Sequence, residues 1–61
     1  MVLILTYNNA KGMKLLKTAD QFQKAVNLMD GGSRVWFEDG ECIDCVETID
    51  QIAEALNHAR D

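Results

Sequence analysis

Residues 17–27 read KTADQFQKAVN and residues 47–57 read ETIDQIAEALN, thirty positions apart in a chain of 61 residues. Each stretch places a glutamine three residues after a threonine. In that pattern the threonine hydroxyl accepts from the backbone N–H at the third helical position, and the glutamine carbonyl accepts the cap's own N–H. Asp20 and Asp50 fall in the first turn, where the helix dipole favours a carboxylate. Apolar residues then follow at helical spacing: Ala19, Phe22, Ala25, Val26 and Met29 in the first stretch, Ile49, Ile52, Ala53, Leu56 and Ala59 in the second. Asp30-Gly31-Gly32 offers a stop for the first, because glycine readily takes the left-handed conformation past a helix end. Two capped helices are expected.

Ahead of each helix lie two strand-like runs around a turn. The first pair is Val2–Tyr7 and Met13–Lys17 around NNAKG; the second is Arg34–Phe37 and Glu41–Val46 around EDG. A three-residue loop, Glu38-Asp39-Gly40, puts Val35, Phe37, Ile43 and Cys45 on one face and Arg34, Trp36, Cys42 and Asp44 on the other. The order is therefore β-β-α-β-β-α, an α+β fold. The expected packing is one mainly antiparallel four-stranded sheet with both helices on one face. Residues 1–61 form a single domain in this reading, with pseudo-repeat ββα units at about 2–31 and 32–61.

Five of the ten positions from 18 to 27 are identical at an offset of thirty: Thr18/Thr48, Asp20/Asp50, Gln21/Gln51, Ala25/Ala55 and Asn27/Asn57. Charges at the same offset recur with opposite sign, Lys11 against Glu41, Lys14 against Asp44, Lys17 against Glu47, Lys24 against Glu54 and Asp30 against Arg60. Two halves related by a pseudo-twofold would use such inversion to form cross-unit pairs. Each exposed pair contributes about 0–1 kcal/mol, so its effect is on register more than on stability.

Composition narrows the function classes. The chain is 48% hydrophobic, which argues against disorder. A domain this small buries only about 60% of the surface its unfolded form exposes, so partners or cross-links are a common supplement. Net charge is −4, split into +3 over residues 1–34 and −7 over residues 35–61. That asymmetry points to an interaction face, while the acidic total disfavours a phosphate backbone as ligand. The longest apolar run, Met1 to Leu5, is too short to span a bilayer and lacks the basic start of a secretory signal. A cytoplasmic location, with no membrane partner, is the default.

Cys42-Ile43-Asp44-Cys45 is the one catalytic-looking motif. Redox or metal-binding CxxC pairs sit where both sulfurs converge, but on a strand residues three apart point to opposite faces. His58 follows Glu54 by four residues, which fits a helix-surface pair better than a zinc ligand. No phosphate-cradling glycine loop or serine elbow is present, so no enzyme activity, metal or cofactor is expected. The acidic turn residues Glu38, Asp39 and Glu41 form a candidate docking patch for a basic partner. On the sheet face away from the helices, Ile4, Lys14, Leu16, Arg34, Trp36, Asp44 and Val46 form a candidate protein interface.

The expected function is a small acidic, non-enzymatic protein–protein interaction module, homodimeric, acting as an inhibitor or adaptor that docks its acidic hairpin on a basic partner. The alternatives are a thiol or metal protein using Cys42 and Cys45, and nucleic-acid binding by Lys11, Lys14, Lys17 and Arg34 with Trp36 as a stacking platform.

Overall fold

The structure, a computed structural model, describes residues 2–60. Five strands and one helix succeed one another in order: β1 (Val2–Thr6), β2 (Lys14–Thr18), a single 3₁₀ turn at Ala19–Gln21, β3 (Phe22–Asn27), β4 (Ser33–Phe37), β5 (Cys42–Cys45) and α1 (Ile49–Arg60). β1 and β2 form a two-stranded antiparallel sheet, and β3-β4-β5 a three-stranded antiparallel meander. One antiparallel bridge, Tyr7 to Cys45, joins them. It is stitched by hydrogen bonds from Asn8 N–H to Asp44 C=O and from Val46 N–H to Thr6 C=O.

This architecture corrects the ββαββα expectation. Among the described residues there is no four-stranded sheet with two helices on one face, because the segment after Thr18 is a strand. Residues 2–31 therefore contribute three strands, and residues 32–60 two strands and the helix, so the halves are not two ββα units. The cause is local. Thr18 makes no side-chain cap hydrogen bond. A bulge between Phe22 and Lys24 inserts one extra residue, Gln23, into the β3–β4 ladder. That residue resets the alternation, so Phe22 and Ala25, three apart, both turn toward the core cluster. A bulged strand thus imitates helical spacing. β3 also satisfies the edge of β4, whose backbone groups would otherwise lack partners.

The second segment behaves as its pattern demands. Thr48 Oγ1 accepts the Gln51 N–H at 3.2 Å and Gln51 Oε1 accepts the Thr48 N–H at 2.9 Å, a reciprocal capping box. Ile52 is then buried against Leu3, Leu5, Val35, Phe37, Ile43 and Cys45, with Ala55 and Leu56 packed alongside. Burying a side chain of this size contributes about 1.5–3 kcal/mol. α1 touches both β1 and β3, and so closes the space between the two sheets.

The second hairpin has the expected register. Val35 pairs Ile43 and Trp36 pairs Cys42, and Phe37 N–H donates to Glu41 C=O across a three-residue turn whose Gly40 has φ +91°. Gly32 is required for a different reason: a Cβ there would stand 2.2 Å from the Cys45 carbonyl oxygen. Beside it Ser33, fully buried, donates its hydroxyl to Glu47 C=O at 2.8 Å.

Candidate protein-interaction surface

Strand parity distributes the candidate residues. In β1, Leu3 and Leu5 face the core, which turns Val2 and Ile4 outward at 51% and 53% exposed. In β2, Leu15 packs against the core while Leu16 points out, 63% exposed. Ile4 and Leu16 are direct cross-strand partners, so their side chains lie side by side. Lys14 sits next along β2, opposite Thr6. Val46, 51% exposed, donates its N–H to Thr6 on the other side. Four of the seven interface candidates therefore gather around the β1–β2 hairpin.

The other three lie on the outer face of the meander and engage one another or a neighbour. Arg34 Nε and Nη2 donate to Asp44 at 2.8 and 3.2 Å, a two-pronged pair between register partners. Hydrogen bonding to Asp44 raises the Arg34 pKa, and the same contact holds the Asp44 carboxyl below its ordinary value. The Trp36 ring is half-buried, with Lys24 Nζ 4.8 Å from its centroid. Tyr7, Arg34, Trp36 and Asp44 border an open groove of about 530 Å³. A second groove of about 270 Å³, lined by Phe22, Ala25, Ile49, Ile52, Ala53 and Leu56, runs between β3 and α1.

The acidic turn is not a free patch. Lys17, at the inner end of β2, reaches Asp39 and, at 2.8 Å, Glu41, with its ammonium 5.0 Å from the Phe37 centroid. Hydrogen bonds to these two carboxylates raise the Lys17 pKa, and the bond from Lys17 lowers that of Asp39. Glu38 alone of the three stays exposed without an ion pair among the described residues. The first half does meet the second through opposite charges, but across a corner of the fold rather than a twofold axis.

Cys42 is exposed and Cys45 buried, both free, on opposite faces of β5. Burial pushes the Cys45 thiol pKa up, which disfavours its nucleophilic form. Among the described residues no three His, Cys, Asp or Glu side chains converge on a metal site, and His58 instead faces Glu54 at 3.5 Å. Of the four cations considered for nucleic acid, Lys17 and Arg34 are already paired, and the Trp36 stacking platform is covered by Lys24, which is not one of the four. Among the described residues no helix is long and apolar enough to cross a membrane.

The roles of Lys17 and Lys24 escape a reading of the sequence. Its pattern places Lys24 on a helix, and the Lys17 contact spans 22 residues of sequence, beyond any local signal. No family model, curated protein or solved structure matches this chain.

Proposed function

We propose that this chain is a non-enzymatic protein-interaction module that self-associates through its β1–β2 hairpin. One observation carries the reading: Ile4 and Leu16 are paired side by side on the outward face of a strand pair, with Val2 beside them, all more than half exposed. Contiguous aliphatic surface of this kind marks contact sites in small proteins. A second copy is the occupant that such a patch fits, because apolar surface complements itself and, among the described residues, β2 pairs only with β1. The acidic turn is a weaker candidate for docking, since Lys17 already offsets Asp39 and Glu41. A reducing, cytoplasmic setting belongs to the same proposal and accords with two free cysteines.

Sedimentation equilibrium tests it. The expected result is a monomer–dimer equilibrium at micromolar concentration, with Leu16→Asp raising the dissociation constant at least tenfold while far-UV circular dichroism is unchanged. A wild-type chain that stays monomeric into the high micromolar range overturns the proposal.

A further inference from the structure

We infer that two copies associate edge to edge, with β2 of one pairing antiparallel to β2 of the other about a twofold axis through Leu16. The inference rests on the self-association proposed above and specifies its geometry. The phase of the hairpin ladder supplies the first step. Tyr7 N–H donates to Met13 C=O at 3.0 Å, which marks these residues as a hydrogen-bonded pair. Alternation then makes Leu5–Leu15 and Leu3–Lys17 hydrogen-bonded pairs too, and Thr6–Lys14, Ile4–Leu16 and Val2–Thr18 the non-bonded ones. The backbone N–H and C=O groups of Lys14, Leu16 and Thr18 consequently point away from β1. Among the described residues no strand lies on that side, and all three residues are exposed.

Strand length and charge together select the register. Centring the axis on Leu16 pairs all five residues of β2: Lys14 meets Thr18, Leu15 meets Lys17, and Leu16 meets its own copy. Shifting the axis to Lys14 or to Lys17 would set a lysine directly opposite its copy, which is destabilising. The Leu16-centred register avoids both. It would form about four inter-strand hydrogen bonds, the Thr18 C=O being taken by the 3₁₀ turn it caps, and align Ile4, Leu16 and their copies as one aliphatic row across four strands. Face-on stacking would leave the outward backbone groups of β2 unpaired, whereas edge pairing gives them partners.

Three variants decide the geometry, each in a Cys42→Ser background, studied by sedimentation and non-reducing electrophoresis. Leu16→Cys should form a symmetric disulfide with oxidised glutathione at least tenfold faster than Lys14→Cys. Opposed residues in a hydrogen-bonded pair lie about 5.5 Å apart at Cα, within disulfide reach. Leu16→Pro, which removes an edge-facing N–H together with the Leu16 side chain but no bond of the β1–β2 ladder, should raise the dimer dissociation constant at least tenfold. Ile4→Asp should change it less than threefold. A dimer that persists in Leu16→Pro, is lost in Ile4→Asp, or fails to cross-link preferentially at position 16 overturns edge pairing while leaving self-association standing. A wild-type chain without any dimer overturns both.

Discussion

The segments after Thr18 and Thr48 share a threonine, an aspartate and a glutamine at matched positions and part company after one turn. Behind Gln51 come Ile52, Ala53, Glu54, Ala55 and Leu56, mostly strong helix formers, with Ile52 reaching the core. Behind Gln21 come Phe22, Gln23, Lys24, Ala25, Val26 and Asn27, whose Phe and Val suit a strand and which lie alongside β4. A cap contributes about 1 kcal/mol, while starting a helix carries a nucleation cost of roughly a thousandfold. A turn opens in both places, but only Thr48 closes a capping box, and Thr18 makes no side-chain cap hydrogen bond. The residues beyond these threonines, with the neighbours they meet, decide between strand and helix.

Paired deletions break this comparison most sharply. Removing Ala53 rotates the rest of α1 by about 100°, which carries Leu56 off the face that Ile52 buries. The expected loss is about 2–4 kcal/mol in urea denaturation, or a melting temperature lower by roughly 8 °C or more. Removing Gln23 deletes only the bulge. Phe22, Lys24 and Ala25 would then alternate in-out-in as a regular ladder, at a cost within about 1 kcal/mol. Were the Gln23 deletion as damaging as the other, the bulge would not explain why residues 22 and 25 share a face.

The caps themselves give the next contrast. Thr48→Ala loses a formed hydrogen bond with Gln51 and should cost about 1 kcal/mol. Thr18→Ala loses none and should stay within about 0.5 kcal/mol. Equal costs, measured by thermal melts of the two variants, would mean that Thr18 caps a helix after all.

These contrasts show what could be read from the chain. Outward and inward parity in β1, β2, β4 and β5 comes from period-two alternation, and Gly40 fixes the turn that sets the second hairpin's register. β3 is hidden because one inserted residue turns a period of two into a spacing of three, and Gly31-Gly32 serves a hairpin turn as well as a helix stop. The candidate Ile4–Leu16 pair needs only parity and is legible. The capture of Asp39 and Glu41 by Lys17 needs the corner between β2 and the β4–β5 turn, which no local pattern encodes.

The residues just ahead of the two threonines extend the comparison, since each ties its segment to the other half. Glu47 Oε1 accepts the Thr6 N–H at 2.8 Å, and Lys17 holds Asp39 and Glu41. Lys17→Met keeps an apolar stem over Phe37 and removes the charge, so wild type should melt slightly higher at pH 7, by less than the Thr48 cap is worth. The Asp39 carboxyl is held below its ordinary value first by the Lys17 hydrogen bond. Its contribution is thus complete above about pH 4 and fades as pH falls through the lowered value. Lys17 carries the opposite shift, so its contribution is complete below its ordinary 10.5 and fades as pH rises through the raised value. Melting curves of wild type and Lys17→Met should therefore differ most between these limits and converge in strong acid. A difference that persists unchanged at pH 2 would assign the effect to packing over Phe37 rather than to charge.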